Sequence, residues 1–291
     1  SIRDLAQAWA DELEYPLAAH ERESLPQVAQ YRAVDQSRFT AEDEWLAHLR
    51  AAILKRSPLP EGSNGSGLTV DKLLETARQQ LAARDEFETY KILAQIPAKV
   101  FITANTDELL ESALREAGKE PTTMVCPWRE FSEKTDPSMY NQDDDFDPSA
   151  EKPLVYHLFG LLSQPESLVL TEDDTFGFLI GITRHMKNIP SQVGRALADS
   201  ALLFLGFQAE EWNFRVVMQS LLAKEGNNLL RRHAHIAAQI EPDEARLVDP
   251  GRARRYLETY FGHSSEIEIS IFWGTAREFM KELAARLSPP R

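Results

Sequence analysis

Cysteine is almost absent from this sequence. A single thiol, Cys126, in 291 residues excludes an intrachain disulfide and a thiolate zinc cluster, and it points to a reducing, cytoplasmic compartment. Long apolar runs are missing as well: none reaches the ~18 residues that a membrane span requires, and no signal-peptide pattern opens the chain. Basic charge is scarce, with 32 Lys and Arg against 46 Asp and Glu and a formal charge of −14. That balance excludes a general binder of phosphate backbones, so neither nucleic acid nor membrane is expected as a partner. The one glycine-rich stretch, 57–67, follows no apolar strand and reads as a flexible loop rather than a phosphate cradle. Asp143, Asp145 and Asp147 have the spacing of a calcium loop, but its sixth and twelfth positions are Pro148 and Leu154, where glycine and glutamate are needed. No metal site is expected.

What is present is an alternation of strand and helix signals. Val100, Phe101, Ile102 and Thr103 have β-forming character and run into Ala104-Asn105-Thr106-Asp107, after which Leu109, Leu110, Ala113 and Leu114 open a helical stripe. In an open α/β sheet, ligands bind beyond the carboxyl ends of strands, where carbonyls and helix N–H groups converge. Asn105 and Asp107 are therefore placed for chemistry, or else Thr106 or Asp107 simply caps the helix. Further strands are predicted at 122–126, 154–158, 168–170, 201–205, 234–240 and 267–272, with helices near 171–183, 212–221 and 250–261 and a last one after Trp273-Gly274. Thr171 and Asp174 have the spacing of a capping box. Residues 1–54 and 70–95 read as helices only. The pattern predicts an α/β, doubly wound, Rossmann-like parallel sheet over 96–291, with a helical insertion or subdomain over 1–95.

Three segments together resemble the sirtuin-like superfamily, in particular the bacterial sirtuin-like domains of defence proteins that destroy NAD. Residues 99–111 resemble its strand and Thr-x-Asn-x-Asp turn, Val155-Tyr-His-Leu-Phe-Gly160 with 167–174 its strand-loop-helix unit, and Ala201-Leu-Leu-Phe-Leu-Gly-Phe207 with Glu210 and Trp212 its late strand. The resemblance implies a site in which Asn105 contacts a ribose or a water, Asp107 supports it, and His157 is the general base. It implies NAD contacts from Thr103, Ala104, Asn105, Gly160, Gly206, Phe207, Trp273 and Gly274. Trp273 could stack on adenine or cap the core. Two departures stand out. The family's opening strand and Gly-x-Gly loop are not found ahead of the first helices, so they lie upstream of Ser1 or were lost. The family's usual histidine position is Phe159, and His157 stands two places earlier, on the same strand face and about 7 Å deeper by strand rise. His157 is then either a displaced base or a core histidine.

The function implied is an NAD hydrolase effector of an anti-phage defence protein, with NAD as substrate or ligand. The alternative is a catalytically inert NAD- or ADP-ribose-binding or assembly module that regulates a neighbouring domain. Deacylation is disfavoured, because the zinc module of those enzymes needs four cysteines. Expected partners are NAD or a related nucleotide, and a second copy of the chain or flanking domains of a longer one. Elsewhere, His233 and His235 share a strand face without a third ligand nearby, and Arg252, Arg254 and Arg255 read as a solvated helix face or a phosphate contact.

Overall fold

Four α-helices come first: α1 (Ile2–Glu12), α2 (Leu25–Asp35), α3 (Arg38–Arg56) and α4 (Val70–Leu81), of which α1 and α4 are markedly amphipathic. They appear in a computed structural model that describes residues 2–58, 68–81, 88–128, 146–184, 190–208, 235–241, 249–263 and 268–287. Ser37 caps α3 by accepting the Thr40 N–H. The inward stripes gather Trp9, Ala10, Val28, Ala29, Ala41 and Trp45 into one apolar cluster that also takes in Leu170, far along the chain. Val70 packs with Leu162 and Leu168, and Leu49 and Ile53 of α3 lie against them. The helices are thus seated on residues 162–170, and their burial of apolar surface against that segment is what holds them there.

The next helix, α5 (Glu88–Gln95), leads to β1 (Val100–Thr103), α6 (Leu109–Glu116), β2 (Thr122–Val125) and β3 (Leu154–His157). The three strands form a parallel sheet in the order β1-β3-β2, with Thr103, His157 and Val125 side by side at its carboxyl edge. The central strand is buried at every residue, as parallel strands covered by helices on both faces must be. Leu154 and Tyr156 meet Trp128, Phe178, Val193 and Leu197 on one face. Val155 meets Ala94, Leu110, Ala113 and Leu114 on the other. The first face is covered by α7 (Glu172–Arg184) and α8 (Ser191–Asp199), the second by α5 and α6. Thr171 and Asp174 do form the capping box of α7: the Asp174 N–H donates to Thr171 Oγ1 at 3.0 Å, and the Thr171 N–H donates to Asp174 Oδ2 at 3.1 Å.

A second parallel sheet, in the order β4-β5-β6, is made by β4 (Leu202–Gln208), β5 (His235–Glu241) and β6 (Glu268–Trp273). The helix α9 (Pro250–His263) precedes β6, and α10 (Ala276–Leu287) follows it and packs against α5. Every strand pair described is parallel, so the fold is α/β and Rossmann-like, with a helical N-terminus.

Four details depart from the pattern read in the sequence. Residues 168–170 form no strand; Val169 donates to the Phe159 carbonyl at 3.1 Å as part of a loop. β4 does not stop at Gly206 but bulges there, with a register shift between Phe204 and Phe207 and a positive φ at the glycine, and runs on to Gln208. The helix α8 has an apolar stripe that the strand-helix alternation did not require. β3 ends at His157, and the chain then turns, so the face alternation that would pair His157 with Phe159 is lost. The anticipated helix at 212–221, together with Asp143, Asp145, Glu210 and His233, lies outside the described residues.

Candidate functional site

The turn after β1 is tied from several sides. Its first bond is local: the Asn105 N–H donates to Thr103 Oγ1 at 3.0 Å. Asp107 accepts the Leu109 N–H at 3.0 Å, a tight turn into α6; the N-cap position itself is Glu108, whose side chain makes no cap bond, so neither Thr106 nor Asp107 is the N-cap. The Asn105 amide donates to the Tyr90 hydroxyl of α5 at 3.0 Å. Asn105 itself is exposed at the carboxyl end of β1, as is Ala104. Burial raises the Asp107 carboxyl above its ordinary range and Glu111 adds to the rise, while the Leu109 N–H and His157 oppose it. Tyr90 is likewise pushed up, chiefly by burial.

Beneath this turn lies a buried acid–imidazole pair. His157 and Glu111 have no solvent exposure, and their Nε2 and Oε1 atoms are 2.7 Å apart. On its other side the imidazole Nδ1 is 2.8 Å from the Asn105 carbonyl oxygen. A carbonyl can only accept, so Nδ1 carries the hydrogen. Thr123 of β2 donates its hydroxyl to the same Glu111 oxygen at 3.1 Å. One chain of hydrogen bonds thus links β2, α6, β3 and the Asn105 turn.

The loop after β3 is laced to the same turn. Leu158 donates to the Thr103 carbonyl at 2.9 Å, and Leu162 donates to the Thr106 carbonyl at 2.8 Å. Gly160 is buried at φ +87°, where an added Cβ would lie 2.3 Å from the Ser167 carbonyl oxygen. That oxygen also accepts the Trp128 indole N–H at 2.8 Å. Glycine is required here because backbone passes backbone. Phe159 lies edge-on against Phe178, ring centroids 5.0 Å apart, on the face of the sheet opposite the acid–imidazole pair.

The structure therefore brings together Thr103, Ala104, Asn105, Asp107, His157 and the loop at Gly160. Gly206 and Phe207 lie in β4 of the second sheet, Trp273 ends its β6, and Gly274 follows. The Trp273 indole N–H donates to Glu258 of α9 at 3.1 Å, and the Arg254 guanidinium lies over its ring. Glu111, Thr123 and Tyr90 were not among the residues singled out from the sequence. A signal for Glu111 existed: it stands three residues before Leu114, beside the apolar stripe of α6, where a charge needs a partner. Nothing local in sequence marks Tyr90.

A parallel α/β sheet covered by helices on both faces, with a helical N-terminus, defines a Rossmann-like domain. The family is more specific. The SIR2-like domain model matches residues 99–263, and the chain belongs to that family. SIR2-like domains bind NAD, so the function of this chain is NAD-related. None of the curated proteins compared with the chain matches it. Among the described residues, no helix is long and apolar enough to cross a membrane.

Proposed function

We propose that the protein hydrolyses NAD at the nicotinamide–ribose bond, as the effector domain of a bacterial anti-phage defence protein. The observation that carries this reading is Asn105: exposed at the carboxyl end of β1, with its backbone N–H and carbonyl and its side-chain amide nitrogen each held by a neighbour. Its Oδ1 is left to orient a water or ribose hydroxyl. Asp107, beside it, stabilises the positive charge that develops on the ribose as the bond breaks. Nicotinamide leaves without an acid, because its ring nitrogen is already cationic in the substrate. His157 holds the turn rather than acting as base, since both ring nitrogens are engaged. In the same reading, residues 1–95 are a helical subdomain seated on a core of 96–291, and Gly160, Gly206, Phe207, Trp273 and Gly274 contribute to the dinucleotide site.

One observation favours a second reading, an inert module that binds NAD or ADP-ribose: Phe159 packs against Phe178, and both ring nitrogens of His157 are taken up by Asn105 and Glu111. Nicotinamide release from NAD, followed by chromatography for the wild type and Asn105→Ala, separates the two. Release lowered at least 100-fold by the substitution supports the hydrolase, the size expected for loss of a positioned polar group at the reacting centre being about 10²–10³. No release, with ADP-ribose still raising the melting temperature, supports the binding module. Undiminished release by Asn105→Ala refutes the assignment of Asn105.

A further inference from the structure

We propose that Glu111 and His157 work as one positioning unit that sets the Asn105 turn for substrate. The inference rests on the reading of Asn105 as the substrate-facing residue, and it begins from an apparent extravagance. A fully buried carboxylate and imidazole form a poor device for stability, since apolar residues of similar volume commonly do as well or better in such places. Here the burial is incompletely compensated: Glu111 Oε1 has both His157 and Thr123, while Oε2 is buried with no hydrogen-bond partner. What the pair achieves is directional. The Asn105 carbonyl obliges Nδ1 to carry a hydrogen, so a single further proton lies between Nε2 and the Glu111 carboxylate, whichever of the two holds it. That shared proton fixes the ring's rotation and hence the line from Nδ1 to the Asn105 oxygen. With Thr103 holding the Asn105 N–H and Tyr90 the side-chain amide, the residue is set at three points, and the acid–imidazole pair is the one that reaches it from the core.

Displacing a reacting group by about 1 Å can lower a rate ~100-fold with binding little changed. Three variants separate positioning from mere support. Glu111→Leu fills the space and removes the acceptor. Glu111→Gln can donate its amide N–H to an unprotonated Nε2 and leaves the Nδ1 hydrogen on the Asn105 carbonyl. Glu111→Leu with His157→Phe removes both partners. The expected result is a fall in kcat of about 10–100-fold for Glu111→Leu with KM changed less than about 3-fold, recovery to within about 5-fold in Glu111→Gln, and a double variant no worse than Glu111→Leu. Amide hydrogen exchange across residues 103–110 should quicken at least 10-fold in Glu111→Leu and remain near wild type in Glu111→Gln. Equal losses in the Leu and Gln variants, or unchanged exchange in Glu111→Leu, would overturn the proposal. Should the wild type neither turn over nor bind NAD, the functional reading falls, and the exchange comparison alone decides whether the pair holds the turn.

Discussion

Alanine at Gly160 should be among the most damaging single-methyl additions this chain can suffer, and Gly118 supplies the control. Both glycines have a positive φ, +87° and +79°, but a Cβ at Gly118 meets nothing within 4 Å, whereas at Gly160 it would lie 2.3 Å from Ser167 O, 2.5 Å from Ser167 C and 2.7 Å from Leu168 N. Left-handed backbone costs an alanine about 1–2 kcal/mol at either position. At Gly160 the obstruction is backbone and cannot rotate away, so the strand-end loop must move, which adds about 1–3 kcal/mol. The upper end of that range is expected because the Ser167 carbonyl also accepts the Trp128 indole N–H, and Ser167 Oγ accepts the Leu161 N–H at 2.9 Å; shifting Ser167 disturbs both bonds. The total for Gly160→Ala is about 2–5 kcal/mol, a large part of the ~5–15 kcal/mol by which folded domains are stable. Urea unfolding, followed by circular dichroism for wild type, Gly118→Ala and Gly160→Ala, measures both terms. Equal losses in the two variants would show that the close approach at Ser167 carries no energy, and the reasoning would fail.

Two further outcomes follow from buried or half-buried carboxylates. Burial raises the Asp107 pKa, so at neutral pH the folded protein bears that charge less readily than the unfolded chain, and Asp107→Asn should raise the melting temperature at pH 7. Below the ordinary carboxyl range, about pH 3.9 and lower, Asp107 is neutral in both states and the gain should vanish; a gain that persists there would refute the cause assigned. Asp174 is nearly buried, pairs with Arg38 at 3.2 Å and accepts the N–H groups of Leu170 and Thr171 at 3.1 Å. Asp174→Ala should therefore destabilise by about 3 kcal/mol in urea unfolding, and a change under about 0.5 kcal/mol, the size of an ordinary surface substitution, would deny it that role.

Much of this fold was legible in the sequence because its signals are local. The Val100–Thr103 run, the Thr171–Asp174 box and the apolar stripes of α1 and α6 each follow from residue type and period, and each lies where those rules put it. Convergence of Asn105, Asp107 and His157 was legible too, through order along the strands and resemblance. The illegible parts were set by contacts distant in sequence. Nothing near Gly206 says that a positive φ will bulge a strand rather than end it; pairing of Phe204 and Phe207 with β5 decides that. Strand parity predicted a shared face for His157 and Phe159, but the bend at Leu158–Gly160 depends on Ser167 and Trp128, and it sends Phe159 to Phe178 instead. Tyr90 reaches Asn105 only because α5 and α6 pack side by side.

Two carboxylates buried in this protein, Asp174 and Glu111, share a purpose that neither sequence pattern nor core packing explains alone. Asp174 is aimed at the N–H groups of residues 170 and 171 and draws Arg38 of α3 onto that loop, where Arg38 also donates to the Leu168 carbonyl at 3.1 Å and pairs with Glu42 at 2.7 Å. Glu111 is aimed, through His157, at the Asn105 carbonyl. In both cases an ionisable side chain buried at some energetic cost fixes irregular backbone that no ladder holds, the loop leading into α7 for Asp174 and the turn beyond β1 for Glu111. Apolar packing could place α3 or α6 on the sheet, but it has no direction, so it could not specify how a turn's carbonyls and N–H groups point. A strand-end site needs that direction. The buried carboxylates therefore belong with the site as much as with the fold, and substitutions at Glu111 should alter the Asn105 turn before they alter the sheet beneath it.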